Sequence, residues 1–391
     1  MDPRETDKEV VSTNPKMDFH DVRERIESGL FEGGTRMRLH RRNLGALTAA
    51  LLVQAKFGGR IMAQDATPGA GMDVTQIALV TPGARTNQGW DQQGADAVDA
   101  VAKELGITPA VAENGGYDDI TPILRDLQAG GASFIICHAS GYQTVCPEFA
   151  AETNVPVAVI ENPDAVKPGL VSDIETQAQE VAYLAGVLAG KETKSGTVGI
   201  VVSGEPPTWN YMTVGFAEGL KATKPDAKLL YSVIGEAAYD DAAGAKRVTE
   251  QEIAADADII FGMGDGASFG MLQAIEDHNS QAGATEVRFI DVIGDKSAEH
   301  RDALLTSVLF DYSGIYRDMV NDLKNGAFGK VYTMDVKNGG VRLLDLPDTV
   351  ADDVKAAVDQ AKTDIIDGKI TVSAISDAEG MKAKLAELFP Q

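Results

Sequence analysis

Cysteine, histidine and positive charge are scarce in this sequence. Among 391 residues there are two cysteines, Cys137 and Cys146, and five histidines, while 59 acidic residues outnumber 35 Lys and Arg to give a net charge of −24. A single cysteine pair nine residues apart offers neither a CxxC motif nor zinc-ligand spacing. It leaves two readings open, a disulfide in an exported protein or two separate thiols. HExxH, a P-loop lysine and any metal-ligand cluster are also missing, so no metal and no cofactor are expected. The acidic excess opposes phosphate backbones and anionic lipid headgroups, which argues against nucleic-acid and membrane-surface partners. Aromatic residues make up 6% and apolar residues 44%, ordinary for a soluble globular chain long enough for one large core or two.

The N-terminus carries what positive charge there is. The stretch 37-MRLHRRNLGALTAALLVQ-54 joins a basic start, with paired Arg41 and Arg42, to an apolar run too short to cross a bilayer. That is the layout of an export signal of the twin-arginine kind, with a basic amphipathic helix as the alternative. Met37 is the expected start, with cleavage near Ala63 and a small-residue linker over 64-QDATPGAGMD-73. Residues 1–72 thus read as extension, signal and linker, and the mature domain is expected outside the cytoplasm.

Beyond Asp73, short apolar runs alternate with helical spacing. Runs begin near 75, 108, 133 and 155, and a second set near 197, 228, 257 and 286. Near-continuous apolar strands separated by helices imply parallel sheet covered on both faces. Two such cycles imply an α/β protein with two doubly wound lobes. A further run, 304-LLTSVLF-310, precedes a helical segment, and 330-KVYTMDV-336 and 340-GVRLL-344 read as a Gly-Gly-linked pair of strands. The expected division is 73–175 plus 311–334 for one lobe and 176–310 plus 335–391 for the other, with chain crossings near 175, 310 and 335 forming a hinge.

Two stretches look like chemistry. The 266-GASFG-270 pattern matches a nucleophile elbow, but a glycine-rich loop separates Ser268 from the preceding strand-like run. The 262-GMGDGA-267 pattern matches a dinucleotide loop, but Asp265 sets a carboxylate where a phosphate would lie. An NAD-type or hydrolytic α/β enzyme using this loop is the alternative to a binding protein; no catalytic residue is assigned. Polar and aromatic residues collect instead after the apolar runs, at Asn87 to Asp91, His138 to Tyr142, Glu161, Trp209, Tyr239, Asp240, Gly264 to Ser268 and Asp295. In parallel α/β sheets that end of the strands is where ligands bind. Two lobes sharing such a crevice form a clamshell. For individual residues the alternatives are structural: core packing for Trp90, surface packing for Trp209 and a helix cap for Asp240.

Four stretches resemble the basic membrane protein family, solute receptors of ABC importers, many for purine nucleosides or bases. They are 86-TNQGWDQQG-94, 179-QEVAYLAGVLAGKETKSGTVGIV-201, 235-GEAAYDDAAGAK-246 and 338-NGGVRLLDL-346, and the colinearity spans about 75 to 372. The resemblance implies a type I periplasmic binding protein fold, no enzymatic activity, and a monomer that passes its ligand to an ABC permease and ATPase. It implies that Trp90 stacks on the ligand with Asn87 and Asp91 beside it, and that Ser140, Tyr142, Asp265 and Ser268 line the site. Tyr239, Asp240, Asp295 and Asp311 are implied less directly. The sequence departs from the family at Ile293, where a ribose-binding aspartate is expected, and at Asn87, which replaces an acid. A free base, riboflavin, a sugar or another small ligand therefore stays open beside a nucleoside.

Overall fold

The apolar runs become strands because both of their faces are covered. The computed structural model describes residues 71–390, and there Ile77–Val80, Phe134–Cys137 and Val157–Ile160 are buried along their whole length. The expected export signal, start and cleavage positions lie outside the described residues, as does most of the linker.

The first sheet contains β1 (Gln76–Val80), β2 (Thr108–Ala112), β3 (Phe134–Cys137), β4 (Val157–Ile160), β5 (Val171–Thr176) and β11 (Val331–Met334). The second contains β6 (Thr197–Val202), β7 (Lys228–Val233), β8 (Ile259–Met263), β9 (Arg288–Val292), β10 (Leu304–Phe310) and β12 (Val341–Leu343). Their orders, β11-β5-β4-β3-β1-β2 and β12-β10-β9-β8-β6-β7, follow one plan, and only β12 runs antiparallel to its neighbour. This is a pair of doubly wound α/β lobes, as the strand cadence led us to expect. In such sheets the order reverses between the first and third strands, and ligands bind beyond their carboxyl ends. Here those ends are the loops after β1 and β3 in one lobe and after β6 and β8 in the other.

The helices between strands are α1 (Trp90–Leu105), α2 (Thr121–Ala129), α3 (Val145–Thr153), α4 (Ala178–Glu192), α5 (Pro207–Thr223), α6 (Ala242–Ala254), α7 (Ser268–Asn279), α8 (Ser297–His300) and α9 (Ser313–Asn325). The tail helices α10 (Asp352–Ile366) and α11 (Ala378–Leu388) lie back on α4 and α5. The chain changes sheets after Thr176, after Phe310 and after Met334.

Two elements differ from the sequence expectation. β5, 171-VSDIET-176, was not expected because Ser172, Asp173 and Glu175 break its apolar run, yet it is an interior strand with Ser172 and Asp173 buried. The Gly-Gly-linked strands β11 and β12 do not pair with each other. β11 adds parallel to β5 and β12 antiparallel to β10, so the Asn338-Gly339-Gly340 turn carries a crossover.

The 179–201 signature stretch has a packing explanation. α4 and α5 approach so closely that a Cβ at Gly186 would strike the Phe216 carbonyl, and one at Gly219 the Tyr183 carbonyl. Only glycine permits this contact between helix backbones. Cys137, at the end of β3, is disulfide-bonded to Cys146 in α3. The bond fastens the intervening loop, which carries His138, Ser140 and Tyr142.

Candidate functional site

The loop after β1 is built by its own side chains. Asn87 Oδ1 accepts the backbone N–H groups of Gly89 at 3.0 Å and Gln92 at 3.3 Å, closing the start of α1 where helix donors lack partners. Asn87 Nδ2 donates to Asp91 Oδ2 at 2.7 Å, and Asp91 Oδ1 accepts Gly83 N–H at 3.1 Å. Asp91 is buried, which pushes its carboxyl above the usual range while those two bonds draw it back. The amide and carboxylate expected to read a ligand's edge are thus engaged with each other and with the loop.

Trp90 is half-buried, and its indole lies 4.9 Å from the His138 ring at an interplanar angle of 30°. Phe310 and Tyr312 follow at 5.7 and 5.8 Å. His138 Nε2 donates to the Trp90 carbonyl at 3.0 Å, Trp90 Nε1 donates to the His138 carbonyl at 3.4 Å, and the Tyr316 hydroxyl donates to His138 Nδ1 at 3.2 Å. Burial pushes His138 down to about 4, so the imidazole is neutral and can fill both roles. The stacking partner of Trp90 in this structure is therefore a residue of its own lobe.

The second lobe contributes the loop after β8 and the segment around Tyr239. Asp265 has a left-handed backbone, φ 52°, and its Oδ1 accepts the Trp90 N–H at 3.3 Å across the lobes. Burial pushes its carboxyl up to about 6, with Asp91 and Asp240 adding to the rise and the Trp90 N–H and Lys296 opposing it. Gly264, just before it, is buried. Tyr239 holds this loop through its carbonyl, which accepts Ala267 N–H at 2.7 Å, and its ring meets that of the buried Trp209 edge-on at 5.4 Å. Asp240 is exposed over Gly266, and the α6 cap is the neighbouring Asp241, which accepts Gly244 N–H at 2.8 Å.

Other expected residues fall into separate places. Ser140 Oγ donates to Glu161 Oε2 at 3.0 Å, and Thr208 of the second lobe donates to the other oxygen of Glu161, making a bridge between lobes. Tyr142 is buried and its hydroxyl donates to the Gly116 carbonyl at 2.6 Å, so it supports the loop after β2. Asp295 and Asp311 are exposed and accept Ser297 and Ser313 N–H at 2.9 and 3.0 Å, turning the chain into α8 and α9. Both line a groove of about 390 Å³ together with Gln92, Asp96 and Arg342. Ile293, at the position expected for a ribose-binding acid, is buried with φ 67°.

The loop after β8 does not assemble either enzyme motif. Ser268 is fully buried at the start of α7, with no hydrogen-bond partner for its Oγ. His278 is engaged with the Thr285 carbonyl at 3.0 Å and His300 with Glu276 at 2.7 Å. A pyrophosphate on this loop would meet the carboxylates of Asp265 and Asp240. Among the described residues no group of His, Cys, Asp and Glu could hold a metal ion.

Sequence reasoning missed Tyr117, Thr208 and Lys296. Tyr117 stands on the loop after β2, 68% exposed, with its ring over Gly141 and 6.4 Å from Tyr142. Desolvation pushes its hydroxyl up to about 12, with Asp91, Tyr239, Asp265 and Asp240 adding to the rise. Its signal was position, since it is an aromatic residue just beyond a strand's carboxyl end. Lys296 is 1% exposed and 2.6 Å from Asp291.

A family model described as ABC transporter substrate-binding protein PnrA-like, Bmp, matches residues 74–376. The chain is 32% identical over 205 residues to the ABC transporter nucleoside-binding protein BmpA of Lactococcus lactis, covering 49% of this chain and 57% of that one. It is 23% identical over 309 residues to basic membrane protein A of Borreliella burgdorferi, covering 77% and 88%. Among solved structures it resembles an ABC transporter solute-binding protein from Conexibacter woesei with a TM-score of 0.66 at 19% identity, covering 78% of this chain and all of that one.

Proposed function

The chain belongs to the Bmp family, the PnrA-like ABC transporter substrate-binding proteins, and from that premise we propose that it captures a purine nucleoside or related nucleobase between its lobes. The observation that carries this reading is the set of aromatic and acidic residues that both lobes place beyond their strands' carboxyl ends. Aromatic rings stand beyond the strands' carboxyl ends in both lobes, Tyr117 after β2 in one and Tyr239, with Trp209 edge-on to it, after β7 in the other, and Asp240 and Asp265 flank Gly266 beside Tyr239. A purine presents a flat face and N–H donors at its edge, while a ribose adds hydroxyl donors. Stacking contributes about 1–3 kcal/mol per ring partner, and a charged acceptor about 1.5–3 kcal/mol per hydrogen bond. A phosphate would be repelled, so the ligand is unphosphorylated.

The disulfide is consistent with capture outside the cytoplasm, where such bonds persist. Among the described residues no helix is long and apolar enough to cross a membrane. The lobes deliver the ligand, as a monomeric receptor, to an ABC permease and its ATPase.

The test is a thermal-shift screen with adenosine, guanosine, inosine, adenine, adenosine monophosphate, riboflavin and arabinose. Nucleosides or the base are expected to raise the melting temperature and the monophosphate is not. A shift with riboflavin or arabinose alone would overturn the ligand assignment. Turnover of any of them would overturn the binding-protein reading itself.

A further inference from the structure

Lysine is almost never fully buried unless every proton of its ammonium has a partner. Lys296, on the loop between β9 and α8, meets that condition. Its Nζ lies 2.6 Å from Asp291 Oδ2, and it donates to the Ile293 carbonyl at 3.2 Å and the Gln88 carbonyl at 3.1 Å. The first two partners belong to its own lobe. The third belongs to the loop that begins α1 in the other lobe, two residues before Trp90. Charge is balanced within the second lobe, and the remaining bond spans the gap.

The backbone at this contact is unusual on both sides. Gln88 and Ile293 have φ of 53° and 67°. A left-handed conformation is a genuine outlier for a β-branched residue such as Ile293. Gly294, with φ 102°, comes so close that a Cβ there would strike the Gln88 carbonyl. Glu161 and Asp265, which also bridge the lobes, are left-handed too, at 58° and 52°. Strain of this kind persists where surrounding contacts over-determine it, and these four residues lie at or beside contacts between the lobes.

We propose that Lys296 is a positioning residue for lobe closure: its ammonium docks the Gln88 carbonyl, and with it the loop 87–91, against the second lobe, so that the closed form is populated before any ligand arrives. When the lobes part, the Gln88 bond is lost and the left-handed backbones of Gln88 and Ile293 can relax. The balance between these two effects sets the fraction of protein ready to hold a ligand, and apparent affinity scales with that fraction.

The experiment is a distance measurement by electron spin resonance on ligand-free protein. Nitroxide labels are placed at the exposed Glu113 and Glu236, one in each lobe, each changed to cysteine while the Cys137–Cys146 bond stays intact. The wild-type background is expected to show a major short-distance population. Two variants are compared with it, Lys296→Met combined with Asp291→Asn, which leaves no unpaired buried charge, and Gly294→Ala, which keeps the ion pair but props the loops apart. Both are expected to shift the population toward longer distances. In a parallel adenosine titration, dissociation should speed up about tenfold with association within twofold of wild type. A lower melting temperature with unchanged distances in both variants would assign Lys296 to stability alone and overturn the proposal. The distances need no ligand, so failure of adenosine to bind would count against the purine reading and leave this test intact.

Discussion

The two jaws of the cleft use the same polar residue types for opposite ends. In the first lobe, Asn87 and Asp91 satisfy the start of α1, Gly83 and each other, and the Trp90 ring packs on His138. In the second, Asp240 is exposed over Gly266 and Asp265 is half-buried beside it, with one backbone N–H from Trp90 as its hydrogen-bond partner. One carboxylate group is consumed in making a rigid wall, while the other is the one we propose meets the ligand. The contrast teaches that an acid or amide near a ligand site is a reader only when its own loop does not need it.

The largest expected break of that contrast is Asp265→Ala. Adenosine affinity should fall about thirty-fold, corresponding to about 2 kcal/mol for a hydrogen bond to a charged acceptor. The melting temperature should hold or rise, because a carboxyl held at about 6 is destabilised by its surroundings. Calorimetric titration beside thermal melting separates the two effects, and unchanged affinity would remove Asp265 from the site. Next come Tyr117→Ala and Tyr239→Ala, each expected to weaken adenosine about tenfold through loss of one stacked ring. If only Tyr239→Ala has an effect, the exposed ring of Tyr117 is not part of the wall.

A smaller change tests the rigid jaw. Asn87→Ala removes the acceptor at the start of α1 and the donor to Asp91, so denaturant unfolding should show a loss of about 1–2 kcal/mol. Adenosine affinity should move less than threefold. A large loss of affinity with intact stability would return Asn87 to the role of edge reader.

The smallest effect is in pH. Asp265 is raised from 3.8 to about 6, so the folded protein holds this proton more tightly than the unfolded chain does. Its contribution to stability is therefore full below about pH 4 and is lost as pH rises through about 6. A ligand that donates to the ionised carboxylate gains over the same range, and adenosine affinity should rise severalfold between pH 5 and pH 7. Asp265→Asn should flatten that profile, and an unchanged slope would place its origin elsewhere.

The lobes were legible in the sequence because strands covered on both faces leave continuous apolar runs that no charged face interrupts. β5 escaped because Asp173 is buried with an internal donor, the Asn162 N–H at 2.7 Å, and a run containing acids does not read as buried. The glycine pair before Val341 looked like a hairpin turn, since nothing local distinguishes a turn within one sheet from a passage between two. Within the site, the positions after the strands were legible but the pairings were not. Trp90 and His138 are 48 residues apart, and Lys296 and Gln88 are 208 apart, distances at which spacing carries no information. Lys296 sits in a Gly-Asp-Lys-Ser stretch that looks solvated until Asp291 and Gln88 close around it.

The glycines between α4 and α5 bear on how receptors of this kind are sorted. Gly186 and Gly219 let two backbones touch inside the second lobe, and α4, which carries Gly186, supplies none of the rings or carboxylates of the site we propose. The QE-YLAG stretch thus serves the architecture of this lobe. Under the proposed reading, positions 117, 239, 240 and 265 are where the cargo itself would be spelled out.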